Sequence, residues 1–196
     1  DVVAYDVDQP ALDRAAERFR GLAARYAADG IEGAADGGAE AAIARIRLSS
    51  DLVDAVATAD LVIEAVPENL ELKQDIYRRL AGTAPQTTIF ATNSSTLLPS
   101  ALAESTGRPD RFLALHFANE IWSHNTAEIM GTPATDPAVY DEVVEFATKI
   151  GMVPIQIKKE KAGYLLNSLL VPFLQAGAEL LVDGIAPTAA RGRVGM

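Results

Sequence analysis

From Phe112 to Phe117 apolar and β-prone residues run without a break, and the one titratable side chain, His116, arrives near the end. Such a run predicts a buried strand with an imidazole at its carboxyl end. Thr126–Met130 reads as a second short strand. If it returns beside the first, Glu128 reaches His116 and fixes which ring nitrogen carries the proton, the geometry of a general base and its orienter. A His at a strand end is also a common structural hydrogen-bonding group, and only context separates the two readings.

The rest of the first 160 residues alternates between two periods. Val2–Asp6 is a short apolar strand ending in an acid, and Asp8 followed by Pro10 marks a helix start with Asp8 as cap. Leu12, Ala15, Phe19, Leu22 and Ala23 fall at helical spacing over Ala11–Ala28. Gly30–Gly38 is a connection, Ala39–Ile46 a short helix, Arg47–Ser49 a brief strand and Leu52–Ala59 another short helix. Asp60–Ala65 is a buried strand, and Val66-Pro67-Glu68-Asn69 turns the chain into a helix over Leu70–Leu80 that carries Glu71 and Lys73. Thr88–Thr92 is the next strand. It ends in Asn93-Ser94-Ser95-Thr96, which as a cap for a helix after Leu97 would use one or two of its four polar side chains. Strands alternating with helices predict an α/β fold with a Rossmann-like, mainly parallel sheet, whose ligands lie outside the carboxyl ends of the strands. Three successive strands ending in polar groups would line one such crevice.

From Pro137 the pattern changes. Ala138–Ile150 is an amphipathic helix, Val153–Ile157 a strand, and Gly163–Leu181 a long helix interrupted only by Asn167, Ser168, Gln175 and Glu179 among its larger polar side chains. A helix apolar around most of its circumference should be buried, within this chain or against a second copy. Asn167 is either a satisfied core amide or a contact to the substrate crevice. The hinge falls near Lys158–Gly163, dividing residues 1–160, a nucleotide-binding unit, from 161–196, the start of an all-α unit.

Composition narrows the function. A net charge of −10 argues against non-specific attraction to nucleic acid or anionic membranes. With no cysteine and two histidines, His116 and His124, no metal site is expected. No apolar run is read as approaching a membrane span and the amino end does not resemble a targeting peptide, so a soluble, cytoplasmic protein is expected. Asp6, the acid at the first strand's tip, either caps a turn or accepts hydrogen bonds from the ribose of a dinucleotide.

The runs Ile63-Glu64-Ala65-Val66-Pro67-Glu68-Asn69 with Lys73, Thr92-Asn93-Ser94-Ser95-Thr96-Leu97, His116-Phe117-Ala118-Asn119, Glu128, and Gly163-Tyr164-Leu165-Leu166-Asn167 together resemble the L-3-hydroxyacyl-CoA dehydrogenase family. Asn119-Glu120-Ile121-Trp122 is similar to its short bacterial 3-hydroxybutyryl-CoA dehydrogenase branch. The resemblance extends from Val2 to about Ile185. It implies NAD as cofactor, with Asp6 on the adenosine ribose, Ala65, Glu68 and Lys73 along the cofactor crevice, Ser95 between nicotinamide and substrate, and Asn119 beside the nicotinamide. It implies His116 as the base, Glu128 as its orienter and Asn167 beside the reacting oxygen of an acyl-CoA substrate. A homodimer through the carboxyl-terminal helices is implied as well.

The sequence departs from that family in four places. The family opens with a strand and a glycine-rich phosphate turn, whereas this chain begins at what would be the second strand and holds no Gly-x-Gly-x-x-Gly. A gap two strand spacings wide is expected in the sheet unless another segment fills it. Pro187–Met196 no longer follows the family. Glu120 replaces the usual proline after Asn119, and Ser168 the usual arginine after Asn167, which affects the expected acyl-chain and CoA contacts. The rival expectations are a 3-hydroxyacid dehydrogenase acting on a free acid and a non-catalytic binding protein of the same fold.

Overall fold

The computed structural model describes residues 1–185; Pro187–Met196, where the resemblance breaks off, lies outside the described residues. Two parallel strands, β1 (Val2–Tyr5) and β2 (Ile46–Ser49), form one small sheet. They are joined through α1 (Gln9–Ala28) and α2 (Gly38–Ile43). A five-stranded sheet follows in the order β3 (Leu61–Glu64), β4 (Ile89–Thr92), β5 (Phe112–Phe117), β6 (Thr126–Gly131) and β7 (Val153–Ile157). Only β5 and β6 run antiparallel. Strands and covering helices thus form the Rossmann-like α/β architecture. No ladder joins β1 to β3, so the sheet stands in two pieces, as the expected gap requires.

Period-two alternation sorts the sheet's side chains onto two faces. Phe90 and Phe112 point to one face and pack with Leu52 and Val56 of α3 (Leu52–Val56), Ile76, Tyr77 and Leu80 of α4 (Leu70–Ala81), and Leu102 of the short α5 (Ser100–Ala103). Ile89, Ala91, Leu113, Leu115 and Ile129 point to the other, against Val139, Val143 and Ala147 of α6 (Pro137–Lys149). Tyr5 of β1 and Val62 of β3 both lean on the first cluster, so α3 and α4 bridge the two pieces of sheet. Ala23, Ala34 and Ala39 close a small cluster of their own beneath α1 and α2.

Local chemistry sets most of the boundaries. Asn69 caps α4 by accepting from Leu72 N at 3.0 Å, and Asp136 caps α6 by accepting from Ala138 N at 2.7 Å with Pro137 in the first turn. Asp51 caps α3, which ends at Val56, earlier than the expected Ala59; Ala59 N bonds back to Val56 O at 3.1 Å and turns the chain into β3. Asp8 stands at the start of α1 without making the expected side-chain cap; its own N–H donates to Asp6 Oδ1 at 2.9 Å.

The last element, α7 (Tyr164–Val182), corrects one expectation and narrows another. Its nineteen residues are long and apolar enough, by length and composition, to cross a membrane, contrary to the expectation that no run approaches that size. Beyond its first turns it is also not buried within this chain: Leu169, Phe173 and Leu174 are exposed, Phe173 at 67%. Its amino end, in contrast, is built into the sheet. Tyr164 is fully buried against Ala114 and Met130, in a left-handed conformation with φ of +54°.

Candidate active site

His116 and Glu128 face each other directly across the β5–β6 ladder, the pairing that the two-strand reading requires. Nδ1 of His116 lies 2.8 Å from Oε2 of Glu128, with the imidazole 7% exposed and Glu128 fully buried. The remaining oxygen, Oε1, accepts the backbone N–H groups of Leu165 at 2.7 Å and Leu166 at 2.9 Å. Glu128 therefore orients the imidazole and satisfies two N–H donors in the first turn of α7, where a helix favours negative charge. The Tyr164 ring lies over the same place, its centroid 5.1 Å from that of His116. Its hydroxyl donates to Leu97 O at 3.3 Å. Burial, and after it the Glu68 and Glu128 carboxylates, push the Tyr164 phenol well above its ordinary range, so it stays protonated.

One turn into α7, Asn167 Nδ2 donates to the carbonyl of Ser95 at 3.0 Å, and the amide oxygen of Asn167 makes no hydrogen bond among the described residues. The Asn93–Thr96 run is not a helix cap, the plainer of its two readings, since α5 begins later and has no side-chain cap. It is a turn held from several sides. Asn93 Oδ1 accepts from Phe117 N at 2.9 Å, and Ser94 Oγ accepts from Leu97 N at 3.0 Å. A single oxygen of Glu68 takes Ser94 Oγ at 2.5 Å, Ser95 N at 3.1 Å, Thr96 N at 3.0 Å and Thr96 Oγ1 at 2.8 Å. The Ser95 hydroxyl makes no hydrogen bond among the described residues.

Behind Glu68 lies a buried ion pair. Lys73, 1% exposed, sits 2.7 Å from Glu64 Oε1 and 3.3 Å from Glu68 Oε2, and donates to Val66 O at 2.9 Å. Sequence reasoning assigned no role to Glu64. The available signal was an acid closing a buried strand, with a lysine on the buried stripe of the following helix. Burial would raise the Glu68 carboxyl, but hydrogen bonds from Ser94 and Thr96, and the Lys73 charge, outweigh it and lower it from the ordinary 4.5 to about 2. A depressed pKa contributes stability that is complete above the ordinary value and is lost as the pH falls through the folded one. Glu68→Gln should therefore lower the Tm at neutral pH. Its difference from wild type should shrink as the pH falls from about 4.5 to about 2, in melts followed by circular dichroism.

The structure thus brings His116, Glu128, Ser95, Asn167, Glu68 and Lys73 into one connected set at the carboxyl ends of β3, β4 and β5, with Ala65 exposed beside them in the turn after β3. Asp6 and Asn119 are not joined to it by any hydrogen bond; both are exposed, Asp6 at the end of β1 and Asn119 after β5. Two further residues give Asn119 its setting. Glu120 holds a φ of +55°, which proline, fixed near −65°, cannot adopt, so the family's usual proline does not fit the loop as it stands. Trp122 clasps the same loop to α1, with the Arg25 guanidinium 4.8 Å above its ring and Tyr26 at 5.7 Å. At the other departure, Ser168 turns its hydroxyl back onto the carbonyl of Tyr164.

A dinucleotide suits this edge. Among the described residues, the Asp6 carboxylate, the Ser95 hydroxyl and the Asn119 amide all retain unused hydrogen-bonding capacity at the ends of β1, β4 and β5. Fold and side chains together define a dinucleotide-binding dehydrogenase type of domain with a histidine–carboxylate couple. Residues 1–161 match the family model described as the NAD-binding domain of 3-hydroxyacyl-CoA dehydrogenase. The chain belongs to the 3-hydroxyacyl-CoA dehydrogenase family, and its cofactor is NAD. Among solved structures it is similar to a diketoreductase studied for dual catalysis of dicarbonyl compounds. The two share 66% identity at a TM-score of 0.92, covering 96% of this chain and 66% of that one. Human mitochondrial hydroxyacyl-coenzyme A dehydrogenase is 35% identical over 170 residues, 87% of this chain and 54% of that protein. The 3-hydroxybutyryl-CoA dehydrogenase of Clostridioides difficile is 32% identical over 127 residues, 65% of this chain and 45% of that protein. The chain spans about half the length of these curated relatives.

Proposed function

We propose that the full-length protein moves a hydride between NAD and the oxygen-bearing carbon of a short 3-hydroxyacyl-CoA, in either direction, with His116 handling the hydroxyl proton. The observation that carries this reading is the 2.8 Å contact between His116 Nδ1 and the buried Glu128. It leaves Nε2 as the ring nitrogen free to take the proton in oxidation and to return it in reduction. NAD, when bound, accepts or supplies the hydride. In oxidation the substrate carbon loses its hydride and its oxygen loses a proton to His116, leaving a carbonyl, NADH and one proton. Ser95 and Asn167 face the reacting group from the two sides of their shared hydrogen bond. Asp6 is assigned to the adenosine ribose, Ala65, Glu68 and Lys73 to the cofactor crevice, and Asn119 to the nicotinamide side.

The same reading takes residues 1–160 as the NAD-binding unit and α7 as the start of a helical unit that pairs with a second copy. The exposed apolar face of α7 supports that pairing. A monomer in sedimentation at assay concentration would reject it.

A second reading removes the CoA. The likeness to a diketoreductase, and the Glu120 and Ser168 departures, favour a small dicarbonyl compound or free 3-oxo acid. The test is NADH oxidation by the full-length protein with acetoacetyl-CoA, acetoacetate and an uncoupled diketone ester in parallel. The thioester is expected to give the highest kcat/KM. A higher value for either uncoupled compound moves the substrate to the second reading, and no oxidation with any of the three rejects both.

A further inference from the structure

We infer that Glu64 is a positioning residue for the Ser95 turn, holding it from both ends of one buried carboxylate; the inference rests on the dehydrogenase reading. Glu64 touches none of the groups assigned to substrate. Its Oε1 accepts from Lys73 Nζ and from Val66 N, each at 2.7 Å. Its Oε2 accepts from Thr92 Oγ1 at 2.9 Å and from Tyr77 OH at 3.5 Å.

Each oxygen leads to the same turn by a separate route. From Oε1 the path runs through Lys73 to Glu68, and from Glu68 to Ser94 Oγ, Ser95 N and both donors of Thr96. From Oε2 it runs through the Thr92 hydroxyl, which accepts from Ser94 N at 3.2 Å. The carbonyl of Ser95 then holds Asn167 at 3.0 Å, so the two routes end on residues placed at both sides of the reacting oxygen. Lys73 and Glu64 also grip the two sides of one peptide segment, Val66 O and Val66 N.

A buried ion pair is weak evidence for stability, because well-packed apolar residues of the same volume often serve as well. What an apolar pair cannot do is fix the rotation of a peptide group several bonds away. Here every link is a charge-assisted or hydroxyl bond with a defined direction. Displacing a turn by about 1 Å at a distance from the chemistry can lower turnover by about 100-fold. A residue that merely completes the core would change the melting temperature and leave turnover alone.

The experiment compares the full-length wild type with Glu64→Gln, Thr92→Val and Thr92→Ser. Glu64→Gln keeps the shape and removes the charge. Its kcat should fall by about 10- to 100-fold, while the NADH dissociation constant, read by fluorescence, rises by less than about fivefold. Thr92→Val keeps the volume and breaks only the Oε2 route, so kcat should drop by about 5- to 10-fold, with Thr92→Ser recovering most of the loss. A Glu64→Gln kcat within about twofold of wild type, or equal kcat for the two Thr92 variants, overturns the inference. If Glu64→Gln does not fold, the Thr92 pair decides alone. A wild type that oxidises no NADH fails the dehydrogenase reading instead. Crystal structures of the Thr92 variants then settle the positioning role: loss of the Ser95 O to Asn167 bond in Thr92→Val alone supports it, and retention in both defeats it.

Discussion

His116→Gln in the full-length protein should lose turnover by about 100- to 10,000-fold, the usual range for removing a general acid–base, while NADH binding stays near wild type. Glutamine cannot take up a proton near neutral pH, so the step assigned to Nε2 has no substitute. Its amide N–H₂ can still donate to Glu128 Oε2, the contact that Nδ1 makes at 2.8 Å, so the buried carboxylate is not stranded. The fold should therefore survive, and a melt close to that of the wild type is part of the expected result. The measurement is kcat for NADH oxidation beside a fluorescence titration with NADH. Turnover within a few-fold of wild type would remove His116 from the chemistry.

Glu128 variants should behave differently, because that side chain has two roles. Glu128→Gln, with its amide oxygen kept on the N–H groups of Leu165 and Leu166, presents N–H₂ to His116 Nδ1, which must then accept, so the imidazole carries its proton on Nε2 and cannot take up another there. Turnover should fall by about 10⁴-fold, the size of loss seen when a histidine's orienting carboxylate is neutralised. Glu128→Ala should lose turnover and stability together, at about 1–3 kcal/mol for each N–H left without a partner. The discriminating observation is the pairing of effects: His116→Gln lowers kcat alone, whereas Glu128→Ala lowers both kcat and Tm. A Glu128→Ala protein that melts with the wild type would mean that α7 is not held through this carboxylate.

What could be read from the sequence followed the range over which each signal acts. β5 and β7 occupy the expected residues because an unbroken apolar run leaves little choice of bounds. The facing of His116 and Glu128 follows from a short return between two strands that share one buried face. Asp8 misleads because a good capping residue does not compel a cap; its carboxylate lies 3.6 Å from the Arg14 guanidinium instead of on the N–H groups of the first turn. A local cap accounts for only part of the Asn93–Thr96 run, because the main partner of Ser94, Glu68, is 26 residues away in sequence. Glu64 and the second role of Glu128 were illegible for the same reason, since both depend on side chains meeting backbone from distant segments. α7 is a long apolar helix, as its composition predicts, but periodicity says nothing of whether its cover comes from the same chain.

One carboxylate serving both an imidazole and the opening turn of a helix has a mechanical consequence. If α7 swings about the segment before Gly163, Glu128 loses two of its three hydrogen bonds and is free to rotate away from the ring. Seating of the helix and readiness of the base are then a single event, much as a deadbolt can be thrown only once the door is shut.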